Sequence, residues 1–218
     1  MILAAVGMQR EARLVERHGA GLGVRALAGG GRAELLEQRL KAALEGAEAV
    51  ISIGLGGALD PALEVGDVVV ATEVLRPRRR WEADSTWRGV LLDRLPKART
   101  GAVYGSDEMV LSALDKAKLR ERGGAVLVDM ESHVAAKVAA ARGLPLAVVR
   151  VVSDKATVSL PEAVRAGLAE DGSMDLMGVL GALARDPGQL PALIRTGRDA
   201  GRAFKALDTA AALALAKP

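Results

Sequence analysis

Apolar runs alternate with helically spaced apolar positions along this chain. Residues 2–6 form an uninterrupted apolar run that reads as a short buried strand, and 23–28 read as a second. Over 32–44 the side chains Leu35, Leu36, Leu40 and Leu44 return on one face, which predicts a helix. A strand over 49–53 opens into Gly54-Leu55-Gly56-Gly57, read as a turn, either a plain tight one or one that lets the backbone approach a sugar or phosphate. Strands follow over 67–74, 101–104, 125–128 and 145–152, with helices over 111–122 and the alanine-rich 131–142. From Pro161 onward the pattern is helical, broken near Pro187 and Pro191. Strands apolar on both faces and interleaved with helices predict an α/β fold whose sheet is covered on both sides. Residues 76–88 carry five arginines, a proline and both tryptophans, and are predicted to form a long surface loop.

Composition narrows this picture. With 218 residues, the chain is expected to be one domain over 1–218, with C-terminal helices from about 161. Half of the residues are hydrophobic, which excludes wholesale disorder. There is no cysteine, so a thiol nucleophile, a disulfide scaffold and a Cys-ligated metal are excluded. His18 and His133 are far apart in sequence, so no metal site is expected and no cofactor is called for. The formal net charge is +3, but four aromatic residues are too few for a base-stacking platform, so nucleic acid is not an expected partner. No secretory or membrane-spanning run is visible, which makes the cytoplasm the expected location.

Three acids stand near the ends of predicted strands: Glu11, Glu131 and Asp154. In open α/β sheets, ligands sit beyond the carboxyl ends of strands, so these three are candidates for one pocket. Singly, Glu11 and Glu131 read equally as first-turn acids of helices, and Asp154 as a turn residue. The glycine cluster at 54–57 is no dinucleotide fingerprint, because Leu59 and Asp60-Pro61 follow where a helix would be needed. Gly29-Gly30-Gly31 precedes the predicted helix at Arg32, whose first amides are available to an anion.

Five blocks occur in a telling order. They are Gly7-Met8-Gln9-Arg10-Glu11, the run from Ser52 through Gly56-Gly57 to Val70, Gly105-Ser106-Asp107-Glu108-Met109-Val110, Val128-Asp129-Met130-Glu131-Ser132, and Arg150-Val151-Val152-Ser153-Asp154. Together they resemble the nucleoside phosphorylase superfamily, most closely its methylthioadenosine/S-adenosylhomocysteine nucleosidase branch. The stretch from Gly29 to Leu36 and the arginine-bearing helical tail resemble a narrower group, the hopanoid-associated phosphorylases. The resemblance implies a three-layer nucleoside phosphorylase-like fold, a central mixed sheet flanked by helices. It also implies cleavage of the N-glycosidic bond of a purine nucleoside, with adenine as the leaving base.

By that resemblance, Asp154 protonates the departing purine, and Glu131 accepts hydrogen bonds from the ribose hydroxyls as a carboxylate. Met130 lies along the sugar, and Glu11 positions and activates water. Met109 stands where relatives carry a stacking phenylalanine, Val110 offers backbone groups to the adenine edge, and Ser153, Gly56 and Gly57 complete the substrate contacts. A free aspartic acid titrates near ~3.9, so burial at the strand end is expected to keep Asp154 protonated, with Lys155 turned away. The nucleophile stays open between water and phosphate. Glu11 suits water, whereas Gly31, Arg32 and Arg10 would suit phosphate as a co-substrate, and Leu55 replaces a hydroxyl residue common in the nucleosidases. The narrower resemblance implies a 5′-substituted adenosine such as an adenosyl-hopanoid, and relatives imply a homo-oligomer, a dimer or larger. The arginines Arg76, Arg78, Arg79 and Arg80 beside Trp81 and Trp87, with the apolar tail 203–216, would suit peripheral contact with the inner membrane. A non-catalytic adenine-nucleoside-binding protein is the alternative.

Overall fold

The computed structural model describes residues 1–166 and 175–216. Eight strands form one mixed sheet: β1 (Ile2–Val6), β2 (Val24–Ala28), β3 (Ala49–Ala58), β4 (Val68–Arg76), β5 (Arg79–Glu82), β6 (Arg99–Gly105), β7 (Leu127–Asp129) and β8 (Leu146–Asp154). β3 is the spine. It runs parallel to β1 and β8, and its last residues pair antiparallel with β7. β8 continues antiparallel to β4, β4 lies parallel to β6, and β6 parallel to β7, so β3, β8, β4, β6 and β7 close a ring. β2 extends the sheet beyond β1, and β5 folds back on β4.

Helices cover both faces. On one side lie α2 (Ala33–Ala42) and α5 (Ser132–Ala141), over a core that takes Leu3 and Ala5 from β1. On the other lie α1 (Gln9–His18), α3 (Ser85–Arg94) and α8 (Leu190–Ala214), over a core that takes Ala4 and Val6. Successive β1 residues thus serve opposite cores, which is why the strand is apolar throughout. Two further helices, α4 (Ala113–Gly123) and α7 (Leu176–Arg185), and the single turn α6 (Ala163–Ala166) flank the ring's open end. Among the described residues, no helix is long and apolar enough to cross a membrane.

The structure corrects several sequence expectations. Gly54-Leu55-Gly56-Gly57 is not a turn, because β3 runs straight through it. An added Cβ on Gly56 would lie 2.5 Å from Leu127 and 2.8 Å from the Val128 carbonyl, so this strand and β7 approach closer than any side chain permits. Residues 76–88 are not a loop. They form the end of β4, the strand β5 and the start of α3, capped by the Asp84 side chain on the Trp87 N–H. Arg76 and Arg80 are paired with Asp107 and Glu73, and Trp81 and Trp87 pack against the two cores. That leaves Arg78 and Arg79 as an exposed basic tip without these ion pairs and both tryptophans half-buried. The tail likewise turns inward: Phe204, Leu207 and Ala211 are buried in α8 against the sheet. The helical break falls at Pro187, while Pro191 sits in the first turn of α8, where its missing N–H costs nothing.

Candidate active site

The carboxyl ends of β1, β3, β7 and β8 open into one cavity of about 480 Å³. Glu11, Glu131 and Asp154 line it together, as do Met109, Met130, Val110, Ser153, Gly56, Gly57 and Gly31. Arg10 and Arg32 do not line it. Arg10 lies over the Phe204 ring at 3.9 Å from its centroid, and Arg32 is exposed at the start of α2. Of the three residues suggested for phosphate, only Gly31 reaches the cavity, in a left-handed conformation (φ 72°) that favours glycine.

Glu11 is both a first-turn acid and a pocket residue. From the first turn of α1 its Oε2 accepts the N–H groups of Gly7 and Met8, each at 2.8 Å, and its Oε1 accepts that of Leu55 at 2.8 Å. This ties the start of α1 to β3 and leaves the carboxylate no rotational freedom. It fits because Gly54 has no side chain: a Cβ there would stand 2.7 Å from both Glu11 Oε1 and Arg150 Nη1. Gly7 plays the same part for Glu131, whose Oε1 would lie 2.8 Å from an added Cβ.

Arg150 joins the acids from below. It is fully buried in the middle of β8, with Nε 2.5 Å from Asp129 Oδ2 and Nη1 3.3 Å from Glu131 Oε2. Nη2 donates to Ser52 Oγ at 2.5 Å and to Ser132 Oγ at 3.3 Å, and Nη1 donates to the Leu55 carbonyl at 3.3 Å. Ser132 Oγ also bonds Asp129 Oδ2, and the Asp129 carboxylate accepts the Ser132 N–H at the head of α5. One guanidinium therefore faces three buried carboxylates.

The charge balance sets their protonation. Burial raises the Glu11 carboxyl above its ordinary value of 4.5, and the Arg150 charge and three N–H donors pull the other way. Glu131 is pushed up to about 8, first by burial and further by the charges of Asp129 and Glu11, with Arg150 opposing. The contact with Arg150 does not make Glu131 an anion at neutral pH. The guanidinium is already shared with Asp129, and the excess negative charge in a dry site is relieved by a proton. The folded protein holds that proton where the unfolded chain has lost it, so stability should be fully present below pH 4.5 and decline as pH rises through about 8. At about 1.36 kcal/mol per pKa unit the decline amounts to a few kcal/mol. Melting temperatures measured from pH 5 to 9 should show this slope in the parent and a much flatter one in Glu131→Gln; equal slopes would refute the assignment.

Asp154 closes the cavity at the end of β8, 8% exposed. Its Oδ1 accepts from Ser153 Oγ at 2.6 Å, and that hydroxyl is also 3.0 Å from the Gly56 carbonyl. The same hydroxyl thus serves either state of the acid: it donates to an ionised Asp154, or accepts from a protonated one while donating to Gly56. Lys155 turns outward to Glu64 at 2.5 Å, as expected. Burial alone was expected to keep Asp154 neutral, but the Lys116 ammonium sits 2.5 Å from its Oδ2, so in the unliganded site Asp154 is half of an ion pair.

The segment carrying Met109 and Val110 is anchored from behind. Arg76 holds Asp107 at 2.6 Å and the Gly105 carbonyl at 3.3 Å, and His133 Nε2 lies 2.9 Å from Asp107. The far wall is apolar and comes from α7 and α8, through Val179, Leu193 and Phe204. Sequence reasoning missed Arg150, Asp129 and Lys116 as site residues. Arg150 carried a signal, a single charge inside the buried run Val148-Val149-Arg150-Val151-Val152. Lys116 carried none, standing among Lys118, Arg120 and Arg122 on what reads as a solvated helix face.

Known proteins bear on this geometry. The family model of the phosphorylase superfamily matches residues 6–173. The chain is 29% identical over 136 residues to an aminodeoxyfutalosine nucleosidase of Campylobacter jejuni, covering 51% of this chain and 58% of that protein. It is 30% identical over 165 residues to a 5′-methylthioadenosine/S-adenosylhomocysteine nucleosidase of a Marinomonas species, covering 61% and 69%. Among solved structures, the nucleosidase of that name from Neisseria meningitidis, in complex with methylthio-immucillin-A, superposes with a TM-score of 0.72 at 16% identity, over 98% of this chain and 97% of that one. At that identity, the superposition speaks for the three-layer fold with its central mixed sheet.

Proposed function

Because the chain belongs to the phosphorylase superfamily, we propose that it cleaves the N-glycosidic bond of an adenine nucleoside in this cavity, with water as the nucleophile. The observation that carries the reading is the convergence of Glu11, Glu131 and Asp154 on one cavity. As the C1′–N bond breaks, positive charge grows on the ribose and negative charge on the purine. Asp154 passes a proton to the purine, Glu131 and Glu11 face the cationic sugar, and Glu11 takes a proton from the attacking water. Water thus supplies the hydroxyl of the released ribose. Asp154, an ion-paired carboxylate at rest, takes up its proton from solvent as the nucleoside binds, and Glu11 returns one to solvent afterwards, so the two transfers balance.

Water is favoured over phosphate by charge. A phosphate beside Glu11 would meet a cluster of acidic side chains whose one guanidinium is already engaged by Asp129, while Arg10 and Arg32 lie outside the lining. The apolar wall from α7 and α8 supports a 5′-substituted adenosine with a hydrophobic substituent, an adenosyl-hopanoid being one such molecule. Homo-oligomer formation and peripheral membrane contact belong to the same proposal. Five of the seven large apolar side chains exposed among the described residues, Met177, Leu180, Leu190, Ile194 and Leu213, stand on these two helices, and a bilayer or a second copy would cover them. Co-sedimentation with anionic vesicles and the mass in solution test the two.

Incubation with adenosine and with 5′-alkyl adenosines, with and without phosphate, tests the reaction. Free adenine is expected in both conditions, at equal rates. Release only with phosphate would make the reaction phosphorolysis, and tight binding without release would make the protein a nucleoside-binding one.

A further inference from the structure

Lys116 is the buried cation that the reaction above leaves without a task. It lies in α4, whose other basic residues, Lys118, Arg120 and Arg122, are on the helix surface, yet its own side chain is fully buried. Its ammonium has three hydrogens and three acceptors: Asp154 Oδ2 at 2.5 Å and the carbonyls of Lys155 and Val158, each at 2.9 Å. Every donor is satisfied without water, and the one counter-charge is Asp154. A lysine used only to fill this space would cost more desolvation than a methionine or leucine, so its charge and its three donors need an explanation.

We propose that Lys116 is the positioning residue of the leaving-group acid, acting through Asp154; this rests on the reading of the site as a nucleosidase centre. Two consequences follow from the geometry. By holding Oδ2 and the turn at 155–158 together, Lys116 fixes the carboxyl plane. Oδ1, the oxygen served by Ser153, is then the one free to exchange a proton. When that proton moves to the purine nitrogen, an O–H bond of Asp154 breaks and an N–H bond of adenine forms, and Asp154 is left as a buried carboxylate. The ammonium already in contact stabilises that carboxylate as it develops and needs no reorganisation to do so. Adenine leaves as a neutral base and Asp154 returns to its ion pair with Lys116; the proton it delivers in the next turnover is taken up from solvent with the nucleoside and offsets the one that Glu11 releases.

A double-mutant cycle tests this, with adenine release from the same 5′-alkyl adenosine by the parent, K116M, D154N and the double variant. K116M is expected to lower kcat by roughly 10²-fold, within the range of general-acid effects, and to leave KM within about threefold. The double variant is expected to be no slower than D154N, because a residue that acts only through Asp154 has nothing left to act on. Losses that multiply, or a K116M kcat within threefold of the parent, would overturn the proposal. Melting curves accompany each variant. Should K116M fail to fold, K116Q, which keeps two donors without the charge, is held to the same two criteria. A parent that releases no adenine from any nucleoside would defeat the reading of the reaction itself, and this inference with it. A parent that turns over normally, with a cycle that is additive, would defeat the role of Lys116 alone.

Discussion

Replacing Asp154 with asparagine is expected to slow adenine release by roughly 10²–10⁴-fold, the usual span for losing a general acid. The amide is nearly isosteric with the acid. Its oxygen can accept from Lys116 as the carboxylate does, so the fold and the cavity should survive, and nucleoside affinity should change much less than kcat. The loss should depend on the leaving group. A ribosyl 4-nitrophenolate departs without a proton and should be cleaved by D154N at close to the parental rate. If D154N released adenine within tenfold of the parent, the acid would have to be sought elsewhere in the cavity.

Replacing Arg150 with methionine is expected to produce the largest loss of stability. Among the described residues the guanidinium is the one cation in contact with Asp129 and Glu131, and its charge also favours an ionised Glu11. Its removal strands carboxylates in a dry core, which costs roughly 3–5 kcal/mol when one partner of a buried pair is deleted. For a chain of this size that corresponds to a melting-temperature drop on the order of 10 °C. The loss should be greater at pH 8 than at pH 5, because at low pH the stranded carboxylates escape by taking protons. A thermal melt series on R150M would show this, and an equal drop at both pH values would mean that packing of the arginine stem, not its charge, is what the core uses.

Much of the architecture was legible because its cause is local. The run over 145–152 is apolar at every position but Arg150, as a strand covered on both faces must largely be. The alanine-rich helix after Glu131 follows from propensity and from a sheet that admits only small side chains above it. Where the reading failed, the deciding partner was remote in sequence. Gly54 to Gly57 look like a turn to any local rule. They are strand residues because Arg150, Glu11, Leu127 and Asp154 come from other elements and occupy the space their side chains would fill. The arginine-rich stretch 76–88 looks solvated, but Glu73 and Asp107 hold two of its arginines and the cores claim its tryptophans.

The residue order by itself determined that this chain builds a covered α/β sheet and that Glu11, Glu131 and Asp154 are its chemically informative acids, since hydrophobic period and motif order are written along one dimension. Which charges neutralise those acids was decided only in three dimensions. Arg150 meets Glu131 through the pairing of β8 beside β3, and Lys116 meets Asp154 across 38 positions of chain. A buried charge takes its protonation from the few groups within contact distance, and tertiary packing alone selects those neighbours.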